Sequence, residues 1–261
     1  MVQFDYTSDL HLDFREGTNS PFIQDYFANK KSKYLIIAGD IGHSINGNIE
    51  FLKYLKDVVG YDEVFVVLGN HDRYIFRNKY SEKFRTGKEK AIATRKLYTD
   101  IGIKVLDGDS YEVGGITIGG ADGWYDGKHG SIDIDEKDGL ERWRNTLNDF
   151  HFGATTNFYE TFQEEISKII SLQNKVDIMV SHVRPTISDK HTNSKFKGSR
   201  ANSYFGFDYE QQLLEDTKLK VWVFGHVHDV GKYTVGKVSL LTNPVGYPFE
   251  SHSKKLMTLT V

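Results

Sequence analysis

Residues 34–40 read YLIIAGD, a short apolar run that ends in glycine and aspartate, and residues 63–72 repeat the pattern as EVFVVLGNHD. Short apolar runs without polar alternation are typical of strands that are buried on both faces of a sheet. Similar runs, apolar or alternating, occur at Val2 to Thr7, Val176 to Val180 and Val221 to Phe224. The chain is therefore predicted to be a layered α/β protein.

Amphipathic segments separate these runs and are predicted to form helices. They cover residues 21–30, 48–59, 79–100, 157–173 and 208–216. Hairpins are predicted over Tyr111 to Ile118 and Lys232 to Leu241, and a last strand over Lys255 to Val261. This mixture favours two sheets with helices outside over one doubly wound parallel sheet. Because we find no internal repeat and no linker-like stretch, we expect a single domain over residues 1–261.

The composition excludes several kinds of site. The 261 residues include ten histidines and no cysteine, so a disulfide scaffold, a thiolate metal site and a cysteine nucleophile are excluded. The 33 basic and 36 acidic side chains give a formal charge of −3, which disfavours a globally basic nucleic-acid binder. We find neither a signal-peptide pattern nor an apolar run that could span a bilayer. We therefore expect a cytoplasmic protein without a membrane partner, as a monomer or homodimer.

Polar side chains that commonly bind metals follow each of the five apolar runs. They are Asp9 and His11, Asp40, Asn70 and His71, His182, and the pair His226 and His228. Taken alone, an aspartate after a strand is usually a turn residue, and a single histidine is usually a hydrogen-bonded structural residue. However, the carboxyl ends of neighbouring parallel strands meet at one edge of a sheet. The five blocks together therefore predict a metal site at that edge.

These blocks resemble the signature motifs of the calcineurin-like metallophosphoesterases, in the order that the family has. They read DLH at 9–11, GD at 39–40, GNHD at 69–72, His182, and GHVH at 225–228. The resemblance implies an α/β fold that is a four-layer αββα sandwich with two central mixed sheets. SDLHL at 8–12 and NPVGYP at 243–248 are also similar to a small prokaryotic and phage subgroup of predicted phosphohydrolases.

The resemblance also implies a centre with two divalent metal ions. One ion would be held by Asp9, His11 and His228, the other by Asn70, His182 and His226, and both would share Asp40. A carboxylate can do this because its two oxygens can bind cations about 3.5 to 4 Å apart. His71 is implied to be catalytic, beside the scissile phosphate. Nitrogen and oxygen ligands suit manganese, which we expect first, with iron, zinc, nickel or cobalt as alternatives.

The reaction implied by the resemblance is hydrolysis of a phosphoester by in-line attack of a metal-bridging hydroxide, with His71 assisting the leaving group. We expect a small phosphodiester or a nucleotide-like substrate. Asp40 is followed by Ile41, Gly42 and His43 rather than by the Asp-Arg-Gly of protein serine/threonine phosphatases, which disfavours phosphoprotein substrates. One alternative is a nuclease acting on DNA or RNA ends, which needs a basic track. Another is a non-catalytic interaction scaffold, a class that tends to lose ligands that are all present here.

Two basic stretches near the predicted site are candidates for substrate contact. Arg73 opens a run rich in lysine and arginine that continues to residue 96, for which a solvated helix face is the alternative interpretation. The loop after His182 contains His191, Lys195 and Arg200. Because a loop that follows a metal ligand at a strand end must pass over the site, this loop is the better candidate for specificity.

Overall fold

A computed structural model describes residues 1–76, 83–128, 136–192, 194–250 and 255–261. The strands are β1 Gln3–Thr7, β2 Tyr34–Ala38, β3 Glu63–Val67, β4 Lys104–Val105, β5 Ser110–Val113, β6 Ile116–Gly120, β7 Ile178–Val180, β8 Val221–Phe224, β9 Gly231–Val235, β10 Val238–Thr242 and β11 Met257–Thr260. The helices are α1 Pro21–Ala28, α2 Ile45–Asp57, α3 Asn70–Arg73, α4 Gly87–Asp100, α5 Glu136–Thr146, α6 Asn148–His151, α7 Phe158–Ser171 and α8 Glu210–Glu215.

The described strands form two mixed sheets. The first has the order β11-β1-β2-β3-β4, in which β1 to β4 are parallel and β11 is antiparallel to β1. The second has the order β5-β6-β7-β8-β10-β9, in which the four inner strands are parallel and the two edge strands are antiparallel. Parallel strands point their carboxyl ends the same way, which places the loops after β1, β2 and β3 at one rim.

The order of the layers follows from the direction in which successive strand side chains point. In β2, Leu35 and Ile37 pack with helices α1, α2 and α4, whereas Ile36 and Ala38 pack against residues of the second sheet. In the second sheet, Trp222 of β8 faces outward onto a core that includes residues of α7. The order of layers is therefore helix, sheet, sheet, helix, which confirms the predicted four-layer αββα sandwich.

The predicted strands and hairpins all form, with ends that differ by a few residues. Strand β4 and helices α3, α5 and α6 were not predicted from the sequence. The two residues of β4 are too few to show a period, and α5 is mostly polar, with Leu140 and Trp143 packed on the core. Residues 79–82 of one predicted helix lie outside the described residues. In the part of the chain that the structure describes, no helix is long and apolar enough to cross a membrane.

Candidate metal centre

The loops after β1, β2, β3, β7 and β8 bring the predicted ligands to one place between the sheets. Three groups of side chains have ligand atoms within 4.8 Å of one another and could hold a cation. They are Asp9 with His11 and His228, His11 with Asp40 and His71, and Asp9 with Asp40 and His182. Both aspartates, His11 and His182 are buried. The structure thus assembles side chains that are up to 219 residues apart in the sequence, from position 9 to position 228.

Backbone strain is concentrated in these loops. Among the described residues, six that are not glycine have a positive φ angle, a region that is costly for residues with a Cβ atom. All but Asn174 are predicted ligands: Asp9, His11, Asp40, His226 and His228. Such a concentration is typical of a functional site whose surroundings hold side chains in a required geometry.

Two of the motif glycines allow the loops to approach one another. A Cβ atom on Gly69 would lie 2.0 Å from Oδ1 of Asp40, and one on Gly225 would lie 2.7 Å from Oδ2 of Asp9. Both distances are far below normal contact, so any other residue would push an aspartate out of place. The glycines in the GNHD and GHVH blocks are therefore required by packing around the two carboxylates.

Asn70 and His182 face each other with atoms that both carry lone pairs. Nδ2 of Asn70 donates to Asp149 at 2.7 Å, which fixes the direction of Oδ1. Nδ1 of His182 lies 2.8 Å from the carbonyl oxygen of Ala38, so the proton of the neutral ring belongs on Nδ1. Nε2 of His182 then points its lone pair at Oδ1 of Asn70, 3.0 Å away. Two acceptors at this distance fit a shared cation rather than a hydrogen bond.

His226 is oriented by a carbonyl group in the same way. Its Nε2 lies 3.0 Å from the carbonyl oxygen of Tyr204, so this nitrogen donates and Nδ1 keeps the free lone pair. Its backbone N–H donates to both carboxylate oxygens of Asp9, at 3.1 and 3.2 Å. Burial and then the neighbouring His182 lower the pKa of His226 to about 4, so the ring is neutral and able to bind a metal.

The other end of the centre contains His11, His228 and Asp9. Nε2 of His11 lies 2.9 Å from Nε2 of His228, which in turn lies 3.3 Å from Oδ1 of Asp9. Nδ1 of His228 contacts Oε2 of Glu250 at 2.8 Å, a carboxylate partner of the kind that orients metal-binding histidines. Burial alone would lower the pKa of His228, but the Asp9 and Glu250 carboxylates raise it to about 10. A positive charge is thus favoured between these groups.

The charge balance of the centre also fits metal ions. In the described part of the chain, neither Asp9 nor Asp40 forms an ion pair with a lysine or an arginine, and their charged neighbours are histidines. Burial, followed by Asp9 and Asp72, raises the pKa of Asp40 well above its usual value. Two buried carboxylates without a lysine or arginine partner are costly unless other cations neutralise them. The residues present therefore fit divalent metal ions.

His71 lies at the edge of the centre, partly exposed to the cavity. Its backbone N–H donates to Oδ1 of Asp40 at 2.9 Å, and its Nε2 lies 4.0 Å from Oδ2 of the same residue. Nδ1 of His71 contacts Nε2 of His43 at 2.9 Å, and the two rings are stacked. Nδ1 of His43 lies 3.5 Å from Oδ2 of Asp13. His43 is therefore the residue that contacts Nδ1 of His71 and can orient its ring.

A cavity of about 530 Å³ opens over the centre. Its walls include Asp40, Asn70, His71, His226 and His228 together with apolar groups. The apolar groups are Leu147, Phe196, Phe205, Val227 and the rings of Tyr233 and Tyr247. Several of the predicted metal ligands thus lie on the wall of a space that is large enough for a small organic substrate.

The four predicted substrate contacts have different locations. His191 lines the cavity and its ring packs on Tyr233. Arg200 is exposed at the start of a 3-10 turn and does not line the cavity, and the side chain of Lys195 lies outside the described residues. Arg73 is not brought to the cavity, because its guanidinium is buried and bound to Asp122 and Glu165.

Sequence reasoning missed several groups around the site. Asp149 accepts hydrogen bonds from Asn70, Tyr74 and Tyr125, and so orients a predicted ligand. The hydroxyl of Tyr247 lies 3.3 Å from Nε2 of His71. Arg184 lines the cavity two residues after His182. Tyr247 lies within the NPVGYP segment, which is the signal that could have pointed to it.

Comparisons with known proteins identify the family. Residues 3–230 match the family model for calcineurin-like phosphoesterases. A protein of Acanthamoeba polyphaga mimivirus, named uncharacterized protein L509, is 24% identical over 276 residues, which cover 95% of this chain and 92% of that protein. The crystal structure of phosphopantetheinyl hydrolase from Mycobacterium tuberculosis superposes with a TM-score of 0.74 at 16% identity, covering 98% of this chain and 95% of the other. The chain therefore belongs to the calcineurin-like phosphoesterase family and is a metal-dependent phosphoester hydrolase.

Proposed function

We propose that this protein is a two-metal phosphodiesterase that acts on a small, nucleotide-like substrate. Asp9, His11 and His228 form one metal site, Asn70, His182 and His226 form the other, and Asp40 is shared. The observation that carries the proposal is the contact of 3.0 Å between Nε2 of His182 and Oδ1 of Asn70, two acceptors that a cation would join. We expect manganese, because histidine nitrogen mixed with carboxylate and amide oxygen suits it and it retains open coordination positions.

The bound metals would supply positive charge to the phosphoryl oxygens and an activated water for attack at phosphorus. The protein groups hold this arrangement: Gly69 lets Asp40 approach, and the carbonyls of Ala38 and Tyr204 fix the ring orientations of two histidines. His71 is placed to donate a hydrogen bond or a proton from Nε2 to the departing oxygen. Its pKa is lowered by burial and by the neighbouring histidines.

The walls of the cavity favour a small substrate over a nucleic acid. Among the described residues that line it, Arg184 is the one lysine or arginine, whereas Asp149, Asp229 and Glu250 are acidic. A nucleic-acid strand needs a row of basic groups along its backbone, which this cavity does not offer. Its apolar walls instead suit the organic group that a diester keeps on the phosphate in addition to its leaving group, which favours a diester.

The test is hydrolysis of bis-p-nitrophenyl phosphate by protein reconstituted with Mn²⁺. We expect turnover of this diester by the wild type. For diphenyl phosphate, whose poorer leaving group needs more assistance, we expect a loss of about 10²- to 10⁴-fold in His71→Asn, the range for removal of a general acid. His151→Asn is the matched control, because His151 is exposed and does not line the cavity. No turnover of any mono- or diester with Mn²⁺, or an unchanged rate in His71→Asn, would contradict the proposal.

We also propose that residues 1–261 form one domain. The supporting observation is that β11 pairs with β1, with Leu259 opposite Phe4, so both ends of the chain contribute to one sheet. The metal ligands come from loops of both sheets, which ties the two sheets to one site. Limited proteolysis that released a stable half of the chain would contradict this.

A further inference from the structure

Arg184 is a buried arginine in the cavity wall whose charge is not neutralised by a contacting carboxylate. Only 3% of the residue is exposed. In the described part of the chain, it forms no ion pair within 4.0 Å. Burial lowers the pKa of Arg184, and the nearby carboxylates of Asp189, Asp229 and Glu210 offset this only in part. A buried charged group is normally paired, because its desolvation is costly. The absence of a paired carboxylate suggests that the partner is not part of the protein.

The bonds that Arg184 does make orient it without neutralising it. Nε donates to the carbonyl oxygen of Thr186 at 2.9 Å, and Nη1 donates to that of His191 at 2.8 Å. The contact from Nη2 to Oγ1 of Thr192 is 3.5 Å long and therefore weak. A guanidinium has five N–H groups, so at least two have no partner among the described residues.

Arg184 is also close to the metal centre along the chain. It lies two residues after the ligand His182, and two Cα–Cα steps span at most about 7 Å. Both Arg184 and His226 line the same cavity, and the ring of Phe205, which also lines it, lies 5.0 Å from the ring of His226. One small molecule could therefore reach the metals and the guanidinium together.

We propose that Arg184 binds a second anionic group of the substrate, a phosphate or a carboxylate, while the scissile phosphodiester lies at the metal centre. This inference rests on the proposed function and narrows its substrate class to molecules with two anionic groups. The fork of N–H donors matches both anions in a two-point contact. Lysine would offer only a point charge there.

The experiment uses three esters that all release p-nitrophenolate. They are thymidine 5′-(p-nitrophenyl phosphate) with a free 3′-hydroxyl, with a 3′-phosphate and with a 3′-succinate. We expect the manganese-loaded wild type to have a kcat/KM about tenfold or more higher for one of the two anionic esters, mainly through a lower KM. The ester that is preferred, the 3′-phosphate or the 3′-succinate, shows whether the bound anion is a phosphate or a carboxylate.

In Arg184→Gln the preference ratio should fall to about one, and Arg184→Lys should keep part of it. Lys190→Gln is the matched control, since it removes an exposed positive charge from the same loop without changing the cavity wall. If Arg184 only braces the loop through Thr186 and His191, its substitution would lower kcat/KM for all three esters equally, which would overturn the inference. A wild type without any preference would do the same. Absence of all hydrolysis would instead refute the proposed function.

Discussion

Two groups of buried or half-buried carboxylates lie in this protein, and their neighbours differ. The oxygens of Asp107, Asp122 and Glu165 are close enough together to hold a cation, as are the ligand atoms around Asp9 and Asp40. In the first group, called here the braced cluster, three basic side chains supply the positive charge. They are Arg73, Arg95 and Lys168.

The metal centre has no such basic side chain among the described residues, and histidines take the corresponding places. The two clusters are close, since the carbonyl oxygen of Asp122 accepts a hydrogen bond of 2.7 Å from the N–H of His182. Proximity of carboxylates is therefore not enough to indicate a metal. The informative feature is whether side chains of the protein neutralise the buried charge. By this criterion Arg73, which contacts Asp122 and Glu165, differs from Arg184, which contacts no carboxylate among the described residues.

The largest effect is expected from Asp40→Asn, which removes one charge from the metal centre with little change of shape. We expect kcat/KM for bis-p-nitrophenyl phosphate to fall about 10⁴-fold, about 5 kcal/mol, because the shared ligand is lost. The free energy of unfolding of the metal-free protein should not fall, because an unneutralised buried carboxylate has been removed. Urea unfolding and steady-state kinetics measure both.

Asp57→Asn is the control for this variant, since Asp57 is exposed at the end of α2. It should behave as the wild type in both assays. If Asp40→Asn kept its rate, or if it unfolded as readily as a variant of the braced cluster, the distinction between the two clusters would be wrong.

Arg73→Met should have the opposite profile, with a loss of stability and a smaller effect on chemistry. The substitution leaves Asp122 and Glu165 buried with less counter-charge, which costs about 3 to 5 kcal/mol for a buried pair. Lys88→Met is the matched control, because its ion pair with Glu164 is exposed and is worth about 1 kcal/mol or less. Equal free energies of unfolding for the two variants in urea would contradict the assignment of the braced cluster.

Removal of metal should lower the free energy of unfolding only in variants that keep the metal centre around Asp9 and Asp40. At metal concentrations of about 100 times the Kd, binding adds about 2.7 kcal/mol, or roughly 5 to 10 °C in Tm for a chain of this size. A chelator should remove this increment from the wild type and from Arg73→Met alike. Asp40→Asn should show little increment. Thermal unfolding with and without chelator measures it, and a wild-type Tm that is insensitive to metal would count against the centre.

The comparison also explains how far the sequence could predict the site. The predicted ligands are adjacent in the fold because each follows a parallel strand, and strand direction can be inferred from short apolar runs. Arg73 was predicted to contact substrate because it follows the GNHD block. Its partners Asp122 and Glu165 are 49 and 92 residues away, and no local pattern reveals such pairing.

Arg184 is a site residue that the sequence could not single out. In the sequence it is one basic residue among many, and its distinction is the absence of a paired carboxylate, which only the packing reveals. Helix α6 shows the same limit. It contributes to the site through Asp149, whose contacts with Asn70 and Tyr125 join distant parts of the chain.

The smallest effect is expected at His43, whose ring contacts His71 at the edge of the metal centre. Its ring packs among Phe14, Phe76 and Tyr74, so His43→Phe keeps the packing but removes the contact with Nδ1 of His71. We expect a loss of about tenfold in kcat, with little change in KM, because one hydrogen bond that orients His71 is lost.

The diagnostic for this variant is the dependence of its rate on the leaving group. If His43 positions His71 to assist the departing oxygen, the loss should be larger for a phenyl ester than for a p-nitrophenyl ester, because the poorer leaving group needs more assistance. His43→Gln, which retains a hydrogen-bonding side chain, should recover part of the rate. Equal losses for both esters would mean that His43 stabilises the loop after β2 and does not act through His71. His43 would then have a structural role and not a positioning role.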